Sequence, residues 1–395
     1  MYKFLIQTNV PLFHHSIIPS GLHEICFIQN TVISISCRNS ETYNYTMKKE
    51  TALFFSRCYK ILLLTFLSFS ILGCSHYVRF MIVENKLKPT PYNVPDHKPN
   101  PRLWRNDKIT FTLIGHSTVL INFYGTTILT DPVLLKRIGP PELWNNYFGV
   151  RRIMKMPSKI EELPKIDIIL ISHAHYEHLC LASLKKIYSL QKEHPVVVIP
   201  EHTKHLIKKI GFTKIHELHW SENKGQNSLE VNNIFIKAFQ IEHRSHINYG
   251  GREKAKRSNG YSISSGSKRI VFIGDSAYRR YRGENRTLLN PPLAINWKER
   301  VNPGISGFDL CIIPIGDYHY RVNHMDPQDA LELLTEIGGR KMLPIHYDTF
   351  ILTDPSQENP KTILLNLLKK NVSIVQFETL DGEISFPDIG VECLL

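Results

Sequence analysis

At 395 residues the chain exceeds a typical single domain, and one large domain plus a leader accounts for its length. With 42% hydrophobic and 21% charged residues, its composition excludes both a disordered chain and one that fills a bilayer. The formal charge is +12; six Lys/Arg stand against three Asp/Glu in residues 1–74, so +9 lies on residues 75–395 and favours anionic partners there.

Residues 61–73 form an uncharged apolar run preceded by Lys48, Lys49, Arg57 and Lys60, the pattern of an export signal. The run is shorter than the roughly 20 residues that span a bilayer and ends in Ile71-Leu72-Gly73-Cys74, which resembles the lipobox of bacterial lipoproteins. That resemblance implies lipidation of Cys74; an uncleaved anchor is the alternative, and either places the body at a membrane outside the cytoplasm, in a bacterial cell envelope. Export signals begin with a short basic region, which Met47-Lys48-Lys49 supplies, so residues 1–46 read as an upstream non-native extension. Residues 47–74 are then the signal or anchor, 75–107 a Pro-rich extended tether, and 108–395 the folded domain.

Within that domain, strand patterns run over 109–114, 119–123, 126–130, 166–172, 196–200, 234–241, 261–264, 269–274, 310–315 and 342–346. Helical spacing occupies 181–190, 202–210, 327–337 and 361–370, the third opened by Asp326 as N-cap before Pro327. Strands first, then strands mixed with helices, predict an α/β fold built as an αββα sandwich.

Cys26, Cys37, Cys58 and Cys74 lie in or before the leader, while Cys180, Cys311 and Cys393 are widely spaced, with no C-x-x-C pair. This is neither a disulfide framework nor a cysteine zinc site, so any metal is held by His and carboxylate. Ser172-His173-Ala174-His175-Tyr176-Glu177-His178 follows a buried-strand pattern and offers three imidazoles and an acid in six positions, a density suited to zinc. His243, Asp275 and His346 repeat the arrangement of apolar strand followed by ligand. Strand ends gathered at one edge of a sandwich would bring all seven together, with Asp275 able to bridge two ions.

Here the sequence resembles the metallo-β-lactamase superfamily, with its His-x-His-x-Asp-His fingerprint. Gly115-His116-Ser117-Thr118, Thr130-Asp131-Pro132, Gly274-Asp275-Ser276, His324-Met325-Asp326-Pro327 and His346-Tyr347-Asp348-Thr349-Phe350 are similar to the N-acylphosphatidylethanolamine-hydrolysing phospholipase D branch. The resemblance implies two Zn2+ ions, one on His173, His175 and His243, the other on Glu177, His178 and His346, with Asp275 between them. The family has Asp where this chain has Glu177. One added methylene moves the carboxylate by about 1.5 Å, against a tolerance of about 0.2 Å at metal sites, so a relaxed loop or a single-metal site are the two outcomes.

Asp275, Glu177 and His324 form the expected catalytic set, His324 at the site's mouth by resemblance and His319 its alternative for protonating a leaving alkoxide. His116 and Asp131 read as groups that orient metal ligands, and Tyr278 and Arg279 as groups that meet an anionic substrate. The expected partners are a phospholipid or other anionic phosphodiester and a membrane surface. Nucleic acid is not expected as a partner, since basic residues are not interleaved with aromatics. Two other readings are a hydrolase of a soluble lactone, cyclic phosphodiester or nucleic acid on the same fold, and a non-catalytic envelope lipoprotein with a decayed site.

Overall fold

The computed structural model describes residues 4–6, 32–36 and 42–46, and then 93–139, 149–243, 257–279, 294–301, 307–316, 323–352, 358–370 and 391–395, without 192, 194, 222 and 224. The chain divides into two units, Met1–Phe80 and Met81–Leu395. In the first, β1 (Phe4–Ile6), β2 (Val32–Ser36) and β3 (Thr42–Thr46) pair antiparallel in that order. Cys74, the apolar run before it and the tether up to residue 92 lie outside the described residues.

The second unit opens with the meander β4 (Ile109–Gly115), β5 (Thr118–Phe123) and β6 (Thr126–Thr130), followed by a short ribbon of β7 (Arg137–Ile138) and β8 (Val150–Arg151). Next come β9 (Ile168–Leu170), α1 (Leu181–Leu190), β10 (Val196–Pro200), α2 (Lys204–Ile207) and β11 (Ile215–Leu218). A second run follows as β12 (Ser228–Val231), β13 (Ile234–Gln240), β14 (Asn259–Ser265), β15 (Lys268–Phe272), α3 (Trp297–Val301), β16 (Leu310–Pro314), α4 (Pro327–Glu336), β17 (Met342–Ile345) and α5 (Pro360–Lys370). The closing β18 (Cys393–Leu394) returns to pair with β4.

These strands make a seven-stranded sheet, β11-β10-β9-β6-β5-β4-β18, and a six-stranded sheet, β12-β13-β14-β15-β16-β17. Alternation along the first sheet explains why its strands are apolar on both faces. Phe111, Leu113, Ile121, Ile168, Leu170 and Val198 join the core shared with the second sheet, whereas Ile114, Leu120, Ile169, Ile171 and Val197 join a separate cluster with Leu184 and Ile187 of α1 and Ile207 of α2. On the other side Trp297, Leu333, Leu334 and Leu364 bring α3, α4 and α5 against the second sheet's core. Helix, sheet, sheet, helix is the αββα sandwich that the sequence predicts.

Two local departures from the sequence expectation have physical causes. The strand expected over 166–172 is assigned only to Ile168–Leu170, and the N–H of Ser172 leaves the ladder to bond Asp131 Oδ1 at 2.7 Å. The helix expected over 202–210 shrinks to Lys204–Ile207, since His202 sits at φ +63, which no right-handed helix contains. At α4 the Asp326 cap forms as expected, accepting from Asp329 N at 2.8 Å.

Bonds between the sheets fix their relative position beside the strand ends. Asn259 N donates to Ser172 O (2.9 Å), Tyr261 Oη to Ile171 O (2.8 Å) and Asn259 Nδ2 to Leu218 O (2.9 Å). Arg152, 1% exposed, donates to the carbonyls of Val133 (2.7 Å), Ile114 (3.1 Å) and Met154 (3.1 Å). Arg152→Met is therefore expected to strand these carbonyls and destabilise the domain by at least about 2 kcal/mol. Urea unfolding checks this as a lower midpoint at unchanged slope.

Candidate metal centre

Each candidate ligand stands just beyond a strand, where the backbone is anchored and the side chain can project past the sheet. From the first sheet, His116 follows β4, Asp131 follows β6 and the segment His173–His178 follows β9; from the second, His243 follows β13, Asp275 follows β15 and His346 follows β17. Gly274, at φ +66, lets the exit of β15 approach the exit of β9: a Cβ there would lie 2.5 Å from Ser172 Cβ.

Hydrogen bonds behind the rings assign their lone pairs. The buried carboxylate of Asp131 accepts from Ser172 N (2.7 Å), Ser172 Oγ (2.6 Å) and His178 Nδ1 (2.7 Å), which turns His178 Nε2 toward Asp275. Ser172 Oγ, its own proton given to Asp131, accepts from His173 Nδ1 at 2.9 Å, and His243 Nδ1 donates to Asn323 O at 3.0 Å. In front of the rings, the Nε2 atoms of His173 and His243 lie 3.0 and 3.1 Å from His175 Nδ1. Asp275 Oδ2 lies 3.0 Å from both His178 Nε2 and His346 Nε2, 3.8 Å from His173 Nε2 and 3.9 Å from His324 Nδ1.

So many acceptors turned toward one another repel unless a cation lies between them. Both oxygens of Asp275 and Nε2 of His178 are buried without a well-formed hydrogen bond, which fits the same conclusion. Charge states agree. Burial pushes the imidazoles of His173, His116 and His324 well below the usual histidine range, and burial together with His175 brings His243 to about 3, so these rings are neutral at pH 7. Burial works against ionising Asp275, but His178 and His346 outweigh it and hold the carboxyl well below its usual range. Burial likewise opposes charge on His178, and Asp275 and Asp131 overcome it, raising that ring well above its ordinary value. The neutral rings of His173, His116, His324 and His243 and the ionised Asp275 are in the states a divalent ion requires, and His178 joins them by giving up its proton to the ion.

Three sets of donor atoms lie within 4.8 Å of one another among the described residues: His173, His175, His243 and Asp275; His116, His178 and His346; and Asp275, His324 and His346. The structure thus gathers all seven expected ligands but one. Glu177 enters none of these sets; its Oε1 is 3.7 Å from His175 Nδ1, and burial raises its carboxyl above the usual range. His116, expected to orient a ligand through a hydrogen bond, makes none with either ring nitrogen and instead joins a donor set.

Tyr278 and Arg279, expected at the substrate, are tied to α4: Tyr278 Oη donates to Glu336 Oε2 and Arg279 Nη2 to Glu332 Oε2, each at 3.0 Å. His319 lies outside the described residues. Sequence reasoning assigned no bonding role to Ser172 or to the Asn323 carbonyl. Ser172's position between a strand and the first imidazole carried a signal; a backbone carbonyl 80 residues from its ring carried none.

Comparison with known proteins adds the lineage. A family profile described as "Beta-lactamase superfamily domain" matches residues 126–347, more than half of the chain. A Saccharomyces cerevisiae protein named N-acyl-phosphatidylethanolamine-hydrolyzing phospholipase D, mitochondrial, is 29% identical over 63% of this chain and 50% of its own length. Its Caenorhabditis elegans counterpart, N-acyl-phosphatidylethanolamine-hydrolyzing phospholipase D 1, is 27% identical over 69% of this chain and 74% of its own. A metal-dependent hydrolase of Thermus thermophilus is 28% identical over 60% and 83%. The chain spans about half the length of the yeast relative. It belongs to the metallo-β-lactamase superfamily, as a metal-dependent hydrolase with a His/Asp metal-binding cluster.

Because Asp131 holds both His178 and the Ser172 hydroxyl behind His173, Asp131→Ala is expected to weaken metal retention roughly 10–100-fold. Competition with a chromogenic chelator reads this directly, and an unchanged affinity would remove Asp131 from the metal-holding apparatus.

Proposed function

We propose that this member of the superfamily is a phosphodiesterase of the phospholipase D type, acting on N-acylphosphatidylethanolamine-like lipids at a membrane surface with two Zn2+ ions. The observation that carries the reading is that relatives from yeast and from a nematode bear the same activity in their names, each matching across most of the domain. The basic body suits an anionic substrate, and Ile71-Leu72-Gly73-Cys74 suits a lipid-anchored protein of a bacterial envelope. Among the described residues no helix is long and apolar enough to cross a membrane.

His173, His175, His243 and Asp275 would hold one ion, with His178 and His346, each 3.0 Å from Asp275 Oδ2, toward the other. Divalent ions there supply acidified water and charge neutralisation on a phosphoryl oxygen. The chain's own residues do the rest. Asp131 and Asn323 O fix ring orientation from behind, so the donors need no rearrangement when substrate arrives. In hydrolysis the water oxygen joins phosphorus, the bond from phosphorus to the ethanolamine oxygen breaks, and the departing alkoxide takes a proton. His324, 9% exposed, 3.9 Å from the Asp275 carboxylate and neutral at rest, is the group that takes up the proton the attacking water gives up and passes it to this alkoxide.

A soluble substrate on the same scaffold is the competing reading, favoured by the Thermus relative, whose name specifies a metal-dependent hydrolase without a lipid. Zinc-loaded protein is expected to release N-acylethanolamine from mixed micelles, to lose this with a chelator, and to be inert as His173→Ala. Turnover of bis(nitrophenyl) phosphate with none of the micellar lipid would decide for the soluble reading. His324→Ala should lower kcat about 10²–10⁴-fold with metal content unchanged; coincident loss of metal would show a ligand instead of a proton donor.

A further inference from the structure

We infer that His116, together with His178 and His346, completes the second metal position of this chain, in the place that the family pattern gives to the residue at 177. The inference rests on the metal-hydrolase reading and specifies its ligand set.

His116 is 2% exposed, and neither of its ring nitrogens has a hydrogen-bond partner. A neutral imidazole carries one donor and one acceptor, and leaving both unmet in a dry interior is costly, so such a ring calls for something to bind. Its surroundings supply two more donors. Its centroid lies 4.0 Å from that of His346 and 5.3 Å from that of His178, and one ring nitrogen of each of the three falls within 4.8 Å of the others. Zinc held by nitrogen at about 2.0–2.1 Å in a tetrahedron spaces its ligands about 3.4 Å apart, so a modest inward movement of the rings closes the set.

The backbone is arranged to keep the pair together. His346 N donates to His116 O at 3.0 Å, and His116 N donates to Thr349 Oγ1 at 2.6 Å, so the β4 exit and the β17 exit are joined at these two residues. Both stand in the left-handed region, His116 at φ +55 and His346 at φ +66. Bulky residues hold that conformation only where the surroundings enforce it, and such residues cluster at functional sites. The third member, His178, is fixed by Asp131 at 2.7 Å with its other nitrogen unmet.

Glu177 lacks each of these features. It belongs to none of the donor sets, and His175 Nδ1, 3.7 Å from its Oε1, is part of the other position. With one methylene more than the family's Asp, its carboxylate is displaced along its own side chain, and a third imidazole from the β4 turn fills the vacancy in the ligand count.

The test counts metal in the full chain after gel filtration, by mass spectrometry of zinc and by the visible absorption of the cobalt form. His116→Asn keeps a residue that accepts left-handed φ, and Glu177→Gln keeps shape while removing charge. The expected result is about two ions in the native chain, about one in His116→Asn and about two in Glu177→Gln. Two ions in His116→Asn, or a loss in Glu177→Gln, overturns the inference, as does loss in both. A native chain with one ion, abolished by His173→Ala, overturns the second position and leaves the metal-hydrolase reading intact; a native chain with none overturns both. Should His116→Asn fail to fold, the cobalt-loaded native chain with labelled histidine decides. A hyperfine shift of the His116 ring is expected, and its absence rejects the ligand role.

Discussion

A carboxylate with no exposure to water, Asp275, sets the terms for everything around it. Burying an ionised acid is among the most costly things a fold can do, and a protein tolerates it only where positive charge is close. Here imidazoles from both sheets converge on one oxygen, and the second layer behind them, Asp131 with Ser172, holds two of those imidazoles in the tautomers that face forward. The sandwich core is conventional apolar packing. Its edge is a polar cluster whose members satisfy one another only in part, and that incomplete satisfaction makes it a receptor for cations.

Most of this was legible in the sequence because one rule governs it: an apolar strand, then a ligand. β9, β13, β15 and β17 each end within a few residues of His173, His243, Asp275 and His346, and α1 spans Leu181–Leu190 as its apolar spacing predicts. Elements that escaped notice lack such a pattern. β11 and β12 are edge or near-edge segments with partly exposed residues, which owe their conformation to pairing with β10 and β13. α3 has five residues, too few to show a period, and is held by Trp297, which is fully buried and bonded to Tyr278 O.

The roles of particular side chains were less readable than their proximity. His116 and Asp131 both follow strands of the meander and invited the same expectation, yet Asp131 makes three bonds to site residues and His116 makes none through its ring. The difference is geometric: Asp131 lies between two chain segments with N–H and hydroxyl donors, whereas His116 faces other imidazoles. Tyr278 and Arg279 were placed at the substrate by adjacency to Asp275, but α4 presents Glu332 and Glu336 within reach and captures both. Three-dimensional competition for a hydrogen-bonding group leaves no trace in a linear pattern.

The division of donors between the two sheets also orders events during synthesis. The first half of the domain emerges with His116, Asp131, His173, His175 and His178, an open half-site, while β17, at the far edge of the second sheet, brings His346 last. Pairing over such sequence separation is slow, because loop closure must precede any gain from contact. The nascent chain therefore exposes several imidazoles to whatever soft cation is at hand before the selective cage exists, and which ion is finally retained depends on the place where the last strand docks as well as on the chemistry of the completed site.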